Sequence, residues 1–156
     1  MPSETRSPAI HATDLVRDIA ARAVTATGLA GIALIHLLDS IGKYSETRYL
    51  FWMYIALMAA SLATAAAILF TRARIAFLAA AGLAASAAIG YILSRSTGLP
   101  NATGDIGNWK EPLGLASLFV EGAVVAVAGS AYALVPAVRR PAVARGHREL
   151  VLADVA

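Results

Sequence analysis

The sequence predicts an all-α membrane protein in which four transmembrane helices form a bundle, with both ends of the chain in the cytoplasm. Hydrophobic residues make up 58% of the 156 residues, and charged residues make up only 15%. Soluble domains carry about 25% charged residues, so this chain lacks the polar surface that a water-facing globule needs. The apolar residues also form long blocks and not amphipathic stripes, which indicates helices surrounded by lipid.

Three of these blocks are almost free of charge. A helix needs roughly 20 apolar residues to cross a hydrocarbon core about 30 Å thick. Residues 50–70 and 75–93 contain no charged residue, and residues 113–138 contain one, Glu121. We therefore predict transmembrane helices over these three ranges.

The first block is less regular, because it contains a histidine. Residues 23–38 are apolar except for His36, and we predict a span over 23–42. The 22 residues before it are polar or mixed, and no small-residue cleavage site follows it, so this block is a membrane span and not a signal peptide. The predicted organisation is a cytoplasmic segment 1–22, a membrane domain 23–138 and a cytoplasmic tail 139–156.

The orientation follows from the distribution of Lys and Arg, which are enriched in the cytoplasmic segments of membrane proteins. Nine of these residues flank one side of the predicted bundle: Arg6, Arg17, Arg22, Arg72, Arg74, Arg139, Arg140, Arg145 and Arg148. Four flank the other side: Lys43, Arg48, Arg95 and Lys110. The excess places both termini and the turn between the second and third helices in the cytoplasm, and the long loop 94–112 outside.

The composition also excludes several kinds of site. The chain contains no cysteine, which excludes disulfides, thiolate metal sites and cysteine nucleophiles. It has no phosphate-binding loop, no serine-hydrolase elbow and no zinc-protease motif. Its formal net charge of +3 is small, so nucleic acid is not expected as a partner.

Polar side chains inside a membrane are costly and therefore indicate candidate sites. His36 and Asp39 are three residues apart and share a face of the first helix. Glu121 lies about 12 Å below the outer start of the fourth helix. Tyr91 and Arg95 share a face near the outer end of the third. Three helices thus bring polar groups into the outer half of the bundle.

Two outer loops are expected to cover these groups. The first is predicted over 41–49 and the second over 94–112, which is long for so small a bundle. The tryptophan and the prolines of the second loop favour an ordered conformation that lies on the bundle. The candidate ligand-binding residues are therefore His36, Asp39, Tyr91, Arg95, Asp105, Asn108, Trp109 and Glu121.

Three interpretations of these residues are compatible with the sequence. His36, Asp39 and Glu121, together with a loop carboxylate, have the donor types of a zinc, manganese or iron site. Alternatively, they form a proton-responsive or ligand-binding pocket in which Arg95 holds an anion. In the third interpretation, Arg95 or Lys43 neutralises the two carboxylates, and the network only fixes the register of the helices.

Small residues recur every three or four positions along three of the helices: Gly28 and Gly31; Gly82, Ser86 and Gly90; Gly122, Ala126 and Ser130. Lipid gives helices no hydrophobic reason to associate, so such ridges permit the close approach on which packing depends. They are consistent with contacts inside the bundle, with a homo-oligomer, or with another membrane protein as partner. An alanine-rich composition alone would also produce such patterns.

Two stretches around the outer loops resemble a group of small four-span integral membrane proteins of actinobacteria. They are IHLLDSIGKYSETRYLFWMY (35–54) and GYILSRSTGLPNATGDIGNWKEPLGLASLFVEG (90–122), and they cover about a third of the chain. The phrases SRSTGLP and DIGNWKEPLG are the most specific. The resemblance implies four spans and a location in the plasma membrane, and it implies no reaction and no ligand residues.

The sequence therefore predicts a non-enzymatic protein of a bacterial plasma membrane that binds a ligand, an ion or a partner at its outer face. The alternative is a metal-dependent membrane enzyme or a metal-handling protein. In that case His36, Asp39 and Glu121 would be the ligands of a divalent metal.

Overall fold

The part of the chain that the structure describes forms four helices. The computed structural model describes residues 8–71 and 73–134. In it α1 spans Pro8–Glu46, α2 spans Arg48–Phe70, α3 spans Ile75–Ser96 and α4 spans Pro112–Leu134. Each contains a stretch long and apolar enough to cross a membrane, and these residues contain no strand. The prediction of an all-α protein with four membrane-spanning helices is confirmed, and by this measure the chain is an integral membrane protein.

The first connection differs from the prediction. A loop is expected over 41–49, but α1 continues to Glu46 and α2 begins at Arg48, so Thr47 alone joins them. The Thr47 amide donates to the Lys43 carbonyl, and the Thr47 carbonyl accepts from the Leu50 amide. The predicted loop was wrong because polar residues indicate where a helix leaves the lipid, and a helix does not have to end there.

The outermost helices differ from the predicted spans at the two ends of the chain. α1 has 39 residues, a length of about 58 Å. From residue 12 onwards its first buried residue is Thr25, so the turns from residue 12 to that point extend the helix beyond the packed core. The fourth span is predicted to end at residue 138, but the structure describes it only to Leu134. The described residues do not include residues 1–7, Arg72 or the tail 139–156. The arginines of these segments, which enter the predicted orientation, therefore lie outside the described residues.

The apolar core lies at the end of the bundle where α2 and α3 are joined, which we call the turn end. The other end, where Thr47 and residues 97–111 make the connections, is the loop end. Twelve buried side chains form one core cluster: Ala26, Leu29, Ile32, Ala65, Ile68, Ala76, Phe77, Ala80, Ala84, Val124, Ala128 and Ala131. Most are alanines, so the helices approach closely here, as expected for packing within lipid.

Only one of the predicted small-residue ridges is used in this packing. A Cβ placed on Gly28 of α1 would collide with Val124 of α4, and one on Gly31 would lie 3.5 Å from Val120. In contrast, a Cβ on Gly82 or on its α4 counterpart Gly122 would meet nothing within 4 Å. The ridges on α3 and α4 therefore do not form the contacts between the described helices.

Two arginines close the turn end. Arg22 Nη1 donates to the carbonyls of Ile68 and Thr71, each at 2.8 Å, and so satisfies carbonyls that the end of α2 leaves without helical partners. Arg74 donates to the Tyr132 carbonyl at 2.7 Å and lies over the Tyr132 ring. These contacts fix α1 against α2 and α3 against α4, with each pair antiparallel.

Towards the loop end the packing becomes looser. α2 has no buried residue between Leu50 and Ser61, and α3 has none between Ala84 and Arg95. Within the described residues, no Cα atom of α2 comes within 8 Å of one of α4. The helices therefore leave a cavity between them on this side of the core.

Candidate binding cavity

The cavity at the loop end has a volume of about 520 Å³ and is lined by all four helices and the α3–α4 loop. Six of the eight candidate residues line it: His36, Asp39, Tyr91, Arg95, Asp105 and Glu121. Asn108 and Trp109 are exposed residues of the loop and do not line it. The structure thus brings together the polar groups of α1, α3 and α4, together with one loop carboxylate.

Glu121 is the deepest charged group of the cavity. It has no exposed surface and lies nine residues into α4, about 14 Å along the helix. Ser117 Oγ, one turn earlier, donates to Glu121 Oε1 at 2.6 Å. Glu121 Oε2 is buried and has no hydrogen-bond partner. A buried polar atom without a partner is costly. Glu121 Oε2 therefore lacks a hydrogen bond that a ligand in the cavity could supply.

Asp39 of α1 has a neutral partner on α2. Tyr54 Oη donates to Asp39 Oδ2 at 2.8 Å, and the Tyr54 ring meets the His36 ring edge to face at 5.0 Å between centroids. His36 Nδ1 lies 2.9 Å from the Ile32 carbonyl. A carbonyl can only accept, so Nδ1 carries the proton, and in the neutral ring Nε2 is an acceptor. This part of the cavity therefore offers acceptors.

Arg95 pairs with carboxylates of the loop. Its guanidinium is buried, with Nη1 2.9 Å from Asp105 Oδ1 and Nη2 3.4 Å from Glu111 Oε2. Lys43 lies 3.1 Å from Glu46 and 3.8 Å from Asp105. These ion pairs lie at the end of the cavity nearest the loop.

This arrangement corrects the predicted network, in which Arg95 or Lys43 neutralises Asp39 and Glu121. Within the part of the chain that the structure describes, neither of these carboxylates forms an ion pair. For Arg95 and Glu121 the reason is their position along the helices. Arg95 is the last residue but one of α3, level with the loop, whereas Glu121 lies more than two turns inside α4.

The α3–α4 loop is held against the rest of the bundle at several points. Tyr49 Oη donates to the Pro100 carbonyl at 2.7 Å, and Thr47 Oγ1 donates to the Asn101 carbonyl at 3.4 Å. The Gly107 amide donates to the Arg95 carbonyl at 2.9 Å. The loop therefore crosses from α3 to the α1–α2 connection and covers the cavity on the side facing the helix ends.

Glu111 links this loop to the start of α4. Its Oε1 accepts from the Leu113 amide at 3.1 Å and its Oε2 from the Gly114 amide at 2.7 Å, so the side chain caps the helix N-terminus, where amides lack helical partners. A Cβ on Gly114 would collide with the Tyr91 ring. Because Gly114 has no side chain, both Tyr91 of α3 and the Glu111 carboxylate can pack against the start of α4.

Sequence reasoning missed Tyr54 and Ser117, both of which lie on transmembrane helices. Ser117 precedes Glu121 by four residues, a spacing that places two side chains on one helix face, so this pair was open to prediction. Tyr54 could be found only once Thr47 is known to be the whole connection. In such a hairpin, positions at similar distances from Thr47 lie at the same level. Asp39 is eight residues before Thr47 and Tyr54 is seven residues after it, so the two lie side by side.

The residues do not support the metal interpretation. Among residues 8–71 and 73–134, no three histidine, aspartate or glutamate side chains are arranged so that they could hold a metal ion. Asp39 and Glu121 each accept a hydrogen bond on one carboxylate oxygen, from Tyr54 and Ser117 respectively.

Comparison with known proteins adds no further assignment. No protein-family model matches this chain, and no curated protein and no solved structure matches it either. Any proposal for its function therefore rests on the fold and the cavity.

Proposed function

We propose that this protein is a non-enzymatic membrane protein that binds a small organic cation in the cavity at the loop end. The observation behind this proposal is Glu121, a fully buried carboxyl group whose Oε2 has no partner and which lines the cavity. A cation with N–H donors would supply both the missing hydrogen bond and the missing charge. Hydrogen bonds between charged partners are about twice as strong as neutral ones.

The charges of the lining favour a cation over an anion. Four carboxylates line the cavity, from Asp39, Asp105, Glu111 and Glu121, against the two cations Lys43 and Arg95. The two cations pair with the loop carboxylates, so the excess of negative charge lies at Asp39 and Glu121. Arg95 is paired by charge with two carboxylates, although its buried Nε and Nη1 make no hydrogen bond, and these carboxylates would repel an anion at this end of the cavity.

The walls suit the apolar part of such a ligand. Tyr54 and Tyr91 present aromatic rings, over which cations bind favourably, and Ile35, Leu57 and Leu113 are among the apolar lining residues. The volume of about 520 Å³ falls within the range of about 300–1,000 Å³ found for small-molecule sites. A one-ring amine fits these dimensions.

The proposal includes a location for the protein and its cavity. The distribution of Lys and Arg places the cavity in the outer half of the membrane, and the resemblance to four-span proteins of actinobacteria supports a bacterial plasma membrane. A homo-oligomer, or a larger assembly in which the protein is an accessory subunit, is compatible with this role. The exposed ridge on α4 would be available for such contacts.

Thermal unfolding of the purified protein in detergent tests the proposal. We expect 2-phenylethylammonium to raise the melting temperature, since binding to the native state adds about 2.7 kcal/mol at a hundredfold excess over Kd. Uncharged 2-phenylethanol, which has nearly the same shape, should have no such effect. Glu121→Gln should fold, because Ser117 can still donate to the side-chain oxygen, and should lose the response to the amine.

Asp14→Asn is the matched control, since it removes an exposed carboxylate of α1 far from the cavity and should respond like the wild type. An equal response of the Glu121→Gln variant to the amine would contradict the proposal. Stabilisation by Zn²⁺ or Mn²⁺ in place of the amine would favour the metal-dependent alternative instead.

A further inference from the structure

The cavity is open on a side that faces neither the loop nor the core. Met53 and Ala56 of α2 and Ser86 of α3 all line the cavity, yet all three are exposed at the surface of the bundle, Met53 to 58%. A residue that both lines a cavity and is exposed lies at an opening. The opening is therefore between α2 and α3, and we call it the lateral gap.

Gly90 lies at the same gap. It lines the cavity, and a Cβ added to it would meet nothing within 4 Å. The absence of buried side chains from α2 between Leu50 and Ser61, and from α3 between Ala84 and Arg95, leaves this stretch unsealed for about three helical turns.

The depth of the gap places it within lipid. Ala56 lies eight residues from the start of α2, and Ser86 lies ten residues from the end of α3, so both are about 12–15 Å from the helix ends. Half of a hydrocarbon core is about 15 Å thick. The surroundings of the gap are therefore acyl chains and not water.

The loop covers the route from water. Tyr49 and Thr47 hold residues 100 and 101 of the loop at the α1–α2 connection, and the ion pairs of Arg95 hold two further loop residues, Asp105 and Glu111. A ligand arriving from this side would have to displace these contacts. None of them closes the lateral gap.

We propose that the ligand of this site is an amphiphilic amine that reaches Glu121 from the bilayer through the lateral gap. Its ammonium group binds between Glu121 and Asp39, and its apolar tail leaves between α2 and α3 into the lipid. This inference rests on the proposed cation-binding function, because it specifies the ligand class and the route for the same cavity. The gap supplies the apolar surroundings that the tail requires, and the two carboxylates without cationic partners supply the charge complement of the head.

A single cysteine in the cavity tests the route without any ligand. The chain has no cysteine, so Ser117→Cys would introduce a unique thiol beside Glu121. In lipid vesicles, N-dodecylmaleimide dissolved in the bilayer should label it at least about tenfold faster than a cationic maleimide that stays in water, an advantage of about 1.4 kcal/mol in the barrier. Each rate is expressed relative to that of Gly104→Cys in the exposed loop.

Substitutions on α3 then test the gap. Gly90→Leu should slow the bilayer-borne reagent by about tenfold or more, because the new side chain occupies the gap. Gly82→Leu is the matched control, since Gly82 is equally open but does not line the cavity, and it should leave the rate unchanged. Labelling that is faster from water, no labelling from either side, or no effect of Gly90→Leu would each overturn the inference.

A second measurement tests the ligand class. In vesicles, n-octylammonium should stabilise the wild type and lose this effect in Gly90→Leu, whereas methylammonium should stabilise neither. If methylammonium and n-octylammonium act equally and only Glu121→Gln abolishes both effects, cation binding stands and the lateral route is refuted. If no amine acts, the proposed function itself fails. Formation of a disulfide between two copies of Gly90→Cys would show that the gap receives a second chain, which would also overturn the inference.

Discussion

The hydroxyl of Tyr54 supplies the hydrogen bond that Asp39 receives from the neighbouring helix. Asp39 lies about 10 Å from the loop end of α1, and Tyr54 Oη is its hydrogen-bond donor from α2. This bond satisfies one carboxylate oxygen but leaves the negative charge of Asp39 without a cationic partner. It also links α1 to α2 at the level of the cavity, where apolar packing is sparse.

Tyr54→Phe should therefore lower the free energy of unfolding. It removes a hydrogen bond to a charged group and leaves the Asp39 carboxylate half-buried without that donor, at a cost of about 1.5–3 kcal/mol. Tyr49→Phe removes a hydroxyl bond of similar length to the Pro100 carbonyl, but at an exposed site where water can replace it. Unfolding of both variants in detergent should show the larger loss for Tyr54, and equal losses would contradict a special role of its bond.

The close approach of α1 and α4 depends on the absence of a side chain at Gly28. The hydrogen that stands in place of Cβ allows Val124 of α4 to pack directly on the α1 backbone. Such contacts are the main source of helix association in lipid, since the hydrophobic effect does not act between helices there. The contact lies just below Glu121 and so helps to hold the wall that carries this carboxyl group.

Gly28→Ala should separate these helices and destabilise the protein by about 1–3 kcal/mol, the typical cost of overpacking. Val124→Ala, although destabilising by itself, should remove much of the clash, so the double variant should be more stable than the sum of the single changes predicts. Gly122→Ala is the control, because a Cβ there meets nothing. Strict additivity in unfolding measurements would show that Gly28 and Val124 do not interact.

For the whole molecule, the orientation in the membrane decides which compartment the loop faces. The bundle itself is compatible with either orientation, because both ends expose polar residues. Only the excess of Lys and Arg on one side predicts that Thr71 faces the cytoplasm and that Gly104 faces outwards.

Cysteine labelling in intact cells checks this orientation. Gly104→Cys should react with a maleimide that cannot cross the membrane, and Thr71→Cys should react only after the cells are permeabilised. Both positions are exposed, so a difference between them reports the side of the membrane. The reverse pattern would place the cavity in the inner half and would refute the predicted orientation.

The sequence predicted most of the residues of the candidate site, but it did not predict which of them bond to each other. His36, Asp39, Arg95 and Glu121 stand out because charge and imidazole are costly in lipid, and the structure brings all four to one cavity. Their partners depend on the rotation and axial position of each helix relative to its neighbours. Arg95 illustrates this point. Its ion pairs with the loop carboxylates could not be predicted, because the sequence does not give the path of the loop.

The sequence by itself determined that the chain forms four membrane-spanning helices. Within lipid the backbone can satisfy its hydrogen bonds only internally, so a long apolar block has almost no alternative to a helix. The tertiary structure alone decided that α1 and α2 meet at Thr47, that Arg95 turns to the loop, and that Glu121 is left without a cation beside an opening between α2 and α3. These features arise from packing between helices, which is set by side-chain shapes distant in sequence and leaves no periodic pattern along the chain.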